Sequence, residues 1–182
     1  MGEVNNSNLR WYTMRVAYHR ELRVRDELQR LGVEHYLPLK WGQRNYGGHL
    51  RRVQVPALNM IFIRTTKEDI TKMKMYNQEL SNLRYRMVVS HNVNKPAEAI
   101  VVPDREMNSF IKATQNVDER LEYLTYTDFL DKEGKKVKVI DGDFAGIEGE
   151  IKRIRKSRCV VVSLRGIAAV ALQIPFKDLE FL

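Results

Sequence analysis

Gly134-Lys135-Lys136-Val137-Lys138-Val139-Ile140-Asp141-Gly142-Asp143-Phe144-Ala145-Gly146-Ile147-Glu148-Gly149-Glu150-Ile151 is the stretch on which the fold turns. Val137-Lys138-Val139 alternates apolar and polar, the period of a half-buried strand. Asp141-Gly142-Asp143 is turn chemistry. The loop that follows is expected to place Phe144 and Ile147 at its surface or rim. Gly149 falls where a strand bends sharply or lets another backbone approach. Downstream, Ile151–Ile154 and Cys159–Leu164 read as strands separated by the charged turn Arg155–Arg158, and Val170–Ile174 reads as another, bounded by Gly166 and Pro175. Several short strands in about 49 residues point to a small barrel.

Upstream, the texture is different. Leu9–Tyr18 mixes aromatic, β-branched and polar residues and reads as a strand. Residues 20–31 switch period, with Val24, Leu28 and Leu31 on one helical face and Gly32 as the C-terminal cap. Val33–Leu39 reads as a second strand. Residues 40–52 are basic and glycine-containing, an exposed hairpin or loop. Leu58–Ile63 is nearly all apolar and suits a central strand. Thr66 and Asp69 form a capping pattern ahead of a short helix carrying Ile70 and Met73. Tyr85–Val89 is a further candidate strand, and Pro103-Asp104 opens a helix that buries Met107, Phe110 and Ile111. The order predicts an α+β first region over 9–113 with a mostly antiparallel sheet flanked by helices. Residues 114–133 read as an acidic linker, partly helical around 117–124, and 134–182 as the β-barrel domain.

Charge follows the same division. The 182 residues carry a net charge of +8. Residues 1–113 hold 19 Lys+Arg against 11 Asp+Glu, residues 114–133 hold 2 against 6, and residues 134–182 hold 10 against 6. Two basic blocks flank an acidic stretch, which favours polyanionic partners or acidic protein surfaces. Cys159 is the single cysteine, so an internal disulfide or multi-cysteine zinc site is excluded. The polar opening Met1–Asn8 does not read as a signal peptide. No apolar run approaches the roughly 20 residues that span a bilayer. A cytoplasmic, monomeric protein without membrane contact is the expectation.

Catalytic signatures are missing. His19, His35, His49 and His91 are scattered, with no HExxH spacing. There is no phosphate-binding GxxxxGK[ST] and no GxSxG elbow. Cys159 lies in a valine-rich run, where an inert buried thiol is expected. The reading is of a non-enzyme, with no cofactor and no metal.

The segment 134–151 resembles the KOW motif, an SH3-like barrel shared by NusG-type elongation factors and several ribosomal proteins. The first region resembles the N-terminal (NGN) domain of the NusG type: Trp11-Tyr12 ahead of the first helix, Ala57-Leu58-Asn59-Met60-Ile61-Phe62-Ile63 as the central strand, and Ile100-Val101-Val102-Pro103-Asp104 leading into the last helix. Ala57, Leu58 and Met60 depart from the Phe, Pro and Tyr usual in that strand. Asn59, Phe62 and the run Arg165–Val170 look closest to specialised paralogues, the UpxY-like antiterminators of capsular polysaccharide operons in Bacteroides-type bacteria, with RfaH more distant.

This resemblance implies a transcription elongation or antitermination factor that suppresses pausing or premature termination. Trp11, Tyr12, Leu58, Met60, Phe62 and Val101 would receive the clamp helices of RNA polymerase's largest subunit, although for Phe62 core and interface stand equal and Trp11 reads first as core. Arg20 and Arg23, and Lys40, Arg44, Arg51 and Arg52 in the hairpin, would meet non-template DNA or nascent RNA, with a plain solvated surface as the competing reading. Phe144 and Ile147 would meet Rho or a small-subunit ribosomal protein. The alternative is a KOW-containing ribosomal or RNA-binding protein.

Overall fold

Among the described residues, the changes of hydrophobic period in the sequence become thirteen strands and three α-helices. The structure is a computed structural model and describes residues 8–88, 97–119, 121–124, 134–164 and 167–182. In chain order the described elements are β1 (Arg10–Arg15), α1 (Glu21–Arg30), β2 (His35–Tyr36), β3 (Leu39–Tyr46), β4 (His49–Pro56), β5 (Met60–Thr65), α2 (Lys67–Tyr76), β6 (Arg84–Tyr85) and β7 (Val101–Val102). They continue with α3 (Asp104–Thr114), β8 (Leu121–Leu124), β9 (Lys135–Val139), β10 (Glu148–Ile154), β11 (Ser157–Leu164), β12 (Ala168–Leu172) and β13 (Leu179–Phe181). The fold is α+β, and the chain divides into two compact units: Met1–Leu37 with Leu58–Asp104, and Pro38–Ala57 with Arg105–Leu182.

In the first unit the sheet runs β2-β5-β1-β6, and β7 also pairs with β1. All of these pairings are antiparallel. β1 lies on β5 with Trp11 opposite Arg64, Thr13 opposite Phe62 and Arg15 opposite Met60. Side chains alternate along a strand, and directly opposed residues share a face. One face therefore carries Trp11, Thr13, Arg15, Met60, Phe62 and Arg64, and the other carries Tyr12, Met14, Ile61 and Ile63. Met14, Ile61, Phe62 and Ile63 have no exposed surface. Tyr12 meets Tyr85 edge-to-face at 5.7 Å, and Lys74 of α2 stands over the Tyr85 ring at 5.8 Å, so α2 covers the second face there.

The helices begin and end where local chemistry tells them to. Gly32 takes φ 67°, and the N–H groups of Gly32 and Val33 donate to the carbonyls of Gln29 and Leu28, which closes α1 with a Schellman motif. The Thr66 hydroxyl accepts the Asp69 N–H at 3.1 Å and caps α2. On α1, Glu27 accepts from the Arg30 guanidinium at 2.6 and 2.9 Å and from the Asn77 side-chain amide. These bonds tie α1 to the loop after α2. The Arg30 bond, then the Asn77 bond, hold the Glu27 carboxyl at about 2, down from an ordinary 4.5.

The second unit's larger sheet runs β13-β9-β10-β11-β12-β8. β11 has four consecutive buried residues, Cys159–Val162, and every residue of β12 is buried. Such strands read as continuous apolar runs because neither face meets water. The β10–β11 turn places Arg155 and Lys156 at φ 44° and 74°, left-handed values that favour glycine. Gly149 is needed for a close approach: a Cβ there would stand 2.7 Å from the Val161 carbonyl oxygen and 2.8 Å from a Val160 methyl. β3 and β4 form a separate hairpin closed by Gly47-Gly48 at φ 60° and 88°.

Several expectations need correction. Val33–Leu39 is not one strand: only His35–Tyr36 pairs with β5, and beyond Pro38 the chain enters the hairpin. Leu58 lies in the bend before β5, two residues short of the strand expected to contain it. Tyr85–Val89 shrinks to Arg84–Tyr85, with Met87 bridging Ala99 and Val89 outside the described residues. Ile111 is only half-buried on α3, whose buried face is Met107, Phe110, Ala113 and Thr114. The described residues of 117–124 form no helix. Leu121–Leu124 is β8, paired antiparallel to β12, because the apolar edge of β12 offers its backbone a ladder. Much of the stretch 114–133 and the residues Arg165 and Gly166 lie outside the described residues.

Two outcomes follow from these contacts. Gly149→Ala forces a methyl against backbone and is expected to cost about 1–3 kcal/mol in a urea melt. Glu27 contributes stability at pH values above 4.5, and that contribution is lost as pH falls towards 2. Glu27→Gln should therefore flatten the acid limb of a stability–pH curve in that window, and an unchanged limb would show that the tie carries nothing.

Candidate functional site

The register decides which apolar candidates can act together. Trp11, Met60 and Phe62 share a face of the first sheet; Tyr12 lies on the opposite one, and so does Val101, which is directly opposite Tyr12. Trp11, Tyr12, Met60 and Phe62 are buried, Phe62 completely. They belong to the packed core of the sheet, with Tyr12 the most exposed of the four at 8%. Leu58, in the bend before β5, and Val101, in β7, are half-buried and do reach the surface. At the other end of the β1–β5 pair, Arg64 bridges Glu34 at 3.1 Å and Asp104 at 3.2 Å, so this arginine is neutralised in place.

The basic candidates separate in the same way. Arg20 is the N-cap residue of α1 and half-buried; Arg23, one turn on, is exposed. In the hairpin, Lys40, Arg44 and Arg51 fall on one face, with Arg44 directly opposite Arg51. Arg52 falls on the other face. Its guanidinium stacks 4.5 Å above the Trp41 ring and pairs with Glu119. Stacking of this kind contributes about 0.5–1 kcal/mol at an exposed site. Trp41 donates its indole N–H to the Val117 carbonyl at 3.0 Å, and the Tyr123 hydroxyl donates to the Leu39 carbonyl at 3.2 Å. Within the second unit, then, the hairpin base is fastened to the stretch 117–123. A cavity of about 570 Å³ beside it is lined by Lys40, Trp41, Arg52, Glu119, Glu122 and Arg155, and Arg155 bonds Glu122 at 2.9 Å. Internal ion pairs of this sort leave little net field for a polyanion. Trp41 and Glu119 were not singled out from the sequence; the only signal was a tryptophan inside an otherwise basic hairpin.

In the 134–151 segment the two loop candidates part company. Phe144 is half-buried, but Ile147 is completely buried, contrary to the expectation that both sit at the rim. The Val139 N–H donates to the Ile147 carbonyl at 2.8 Å, which continues the β9–β10 ladder and turns the Ile147 side chain inward. Lys112 of α3 donates to the Ala145 carbonyl, and Arg105 pairs with Glu148, so this loop is held by α3 within the unit. Apolar surface appears elsewhere: Phe176 and Phe181 are exposed and lie 5.7 Å apart.

Cys159 is buried, and burial followed by the charge of Glu122 pushes its thiol pKa up. Among the described residues no three His, Cys, Asp or Glu side chains stand where they could share a metal ion. Among them, too, no helix is long and apolar enough to cross a membrane.

Residues 9–111 match the NusG family, described as "Transcription termination factor nusG". No curated protein matches the chain. Among solved structures, one described as "Domain interaction in Thermotoga maritima NusG" is similar at 18% identity and a TM-score of 0.43, over 96% of this chain and 98% of that one.

A thiol with a raised pKa beneath a valine-rich sheet is a poor nucleophile. Cys159 should resist a thiol-specific chromogenic reagent in the native protein and react fully in denaturant. Rapid native labelling would mean that β11 opens readily.

Proposed function

The chain belongs to the NusG family, and from that premise we propose that it is an elongation and antitermination factor that rides on RNA polymerase through its first region. NusG-family proteins are non-enzymatic transcription factors that bind RNA polymerase. The observation that carries the reading is the family match over 9–111, a span that takes in β1 to β7. We assign 9–113 to polymerase binding, 114–133 to a connecting stretch and 134–182 to a KOW-type barrel. The sequence around Asn59 and Phe62 supports a specialised paralogue of the UpxY-like kind, working in the cytoplasm as a monomer on polysaccharide biosynthesis operons.

The docking mode is a helix pair laid against the half-buried apolar residues that flank the sheet's core, with a polar rim. Leu58 and Val101 reach the surface and touch the clamp helices. Trp11, Tyr12, Met60 and Phe62 act from beneath, keeping the sheet rigid so that little ordering entropy is lost on binding. Arg20, Arg23, Lys40, Arg44 and Arg51 offer cations to non-template DNA or nascent RNA, and Arg52 supports the hairpin through Trp41. A factor held on one side of the polymerase cleft and reaching across it opposes the opening that accompanies pausing. Phe144 is the residue through which the second region meets Rho or a small-subunit ribosomal protein, with Ile147 beneath it.

A carboxylate at Phe62 would be buried without a partner and unfold the sheet, so the surface residues make the cleaner test. Leu58→Asp and Val101→Asp, at unchanged melting temperature, should each lower polymerase retention about tenfold, and the pair should abolish readthrough of a terminator in vitro. Retention equal to wild type in both variants would sink the docking surface. Retention that disappears on nuclease treatment would favour an RNA-binding protein instead.

A further inference from the structure

The second unit holds a cavity of about 360 Å³, within the roughly 300–1,000 Å³ range of small-molecule sites. Ile151, Val160, Ile174, Phe176 and Leu179 form its apolar wall, and Arg158 is the one charged residue among its described lining. The β10–β11 ladder shows how this arrangement comes about. Ile151 stands directly opposite Val160, and Arg153 directly opposite Arg158. Opposed residues, and residues two apart on one strand, share a face. All four therefore lie on one face, with the apolar pair deeper along the ladder and the two arginines beside the turn. Val160 also stands opposite Leu172 of β12, and both are buried, so the same face continues into the core.

Two features of this cavity are costly for a barrel that holds nothing there. Like charges directly opposed across a ladder are destabilising. Arg153 and Arg158 are both exposed, and among the described residues neither is paired with a carboxylate. The apolar wall is also left open. Phe176 is 59% exposed, and Ile151, Ile174 and Leu179 are only half-buried. The backbone nevertheless fixes this wall in place. Phe176–Asp178 is a single 3-10 turn in which the Asp178 N–H donates to the Pro175 carbonyl at 3.0 Å. The Ile140 N–H donates in turn to the Asp178 carbonyl at 2.8 Å. A wall held open by main-chain bonds loses little ordering entropy when a ligand enters.

We propose that this cavity binds a small amphipathic anion, an aliphatic carboxylate of medium chain length, with its chain against Ile151, Val160, Ile174 and Leu179 and its head on Arg158 and Arg153. A guanidinium fork matches the two oxygens of a carboxylate. The head relieves the repulsion between the two arginines, and the chain covers the open apolar wall. A nucleic-acid strand would use the arginines but has no apolar body to fill the wall. A neutral lipid would fill the wall but leave the arginines uncompensated, and an alkylammonium carries the wrong charge. A partner helix needs an open groove longer than this cavity. The site uses only β10, β11 and the residues after β12, and it is separate from Phe144, Ile147 and the docking surface of the first unit.

The test is calorimetric titration of the full chain with hexanoate, octanoate, decanoate and dodecanoate, each below its micelle-forming concentration. Affinity should rise about fourfold per methylene and then stop rising once the chain fills the cavity. Decanoate should shift the backbone amide resonances of Ile151, Val160, Ile174 and Leu179. Arg153→Gln with Arg158→Gln should weaken decanoate about tenfold and leave the gain per methylene unchanged. Both arginines are exposed, so this variant should melt at or above the wild-type temperature. Ile174→Phe, which fills the cavity from a half-buried position, should abolish binding at an unchanged melting temperature. The inference is overturned if decyltrimethylammonium binds as tightly as decanoate, or if the double glutamine variant binds like wild type. It is equally overturned if affinity climbs through dodecanoate without a limit, the result a flat apolar patch would give, or if the resonances that shift lie outside the cavity.

Discussion

Everything in the first unit depends on the register of β1 against β5. With Trp11 opposite Arg64 and Arg15 opposite Met60, the two faces of the sheet are assigned residue by residue. A slip of one residue would exchange the faces, sending Thr13 and Phe62 where Tyr12 and Ile63 now lie. The two ends of this ladder are electrostatically unlike. At one, Arg64 is satisfied by Glu34 and Asp104; at the other, Arg15 faces Arg84 across the sheet. Between them lies a buried stretch, apolar except for Thr13 and the Tyr12 hydroxyl, that tolerates no charge. The sheet therefore offers partners its ends and its neighbouring bends, and keeps its middle to itself.

This distribution explains why a set of apolar residues chosen from sequence divides into support and surface. Alternation in a strand tells which residues share a face. It does not tell whether that face meets water, because the covering element comes from elsewhere in the chain. Phe62 and Met60 look identical, from sequence, in a docking groove and in a core. Leu58 reaches the surface because the chain bends before β5 and so leaves the ladder. The same limit applies to Ile147, which a backbone bond to Val139 draws inward.

Features set by local chemistry were the legible ones. The Gly32 cap, the Thr66–Asp69 cap, the glycine hairpin and the close approach at Gly149 each depend on a few neighbouring residues, and each appears in the structure. Features set by distant pairing were not legible. The short β2, the strand at Leu121–Leu124 and the cluster of Arg15 with Arg84 are products of strands far apart in sequence. Arg15 and Arg84 in particular carry no motif. Only the ladder brings them face to face.

The strand β8 bears on how the molecule can be cut. It lies inside the stretch 114–133 that the sequence marks as a linker, yet it pairs along the outer edge of β12, whose residues Ala168–Leu172 are all buried. A fragment started at Gly134 would strip that cover and leave an uncharged sheet margin, Ala168–Leu172, with free backbone donors and acceptors. Such margins recruit further chains, and the natural result is self-association and insolubility. A fragment meant to stand alone must begin upstream of Leu121.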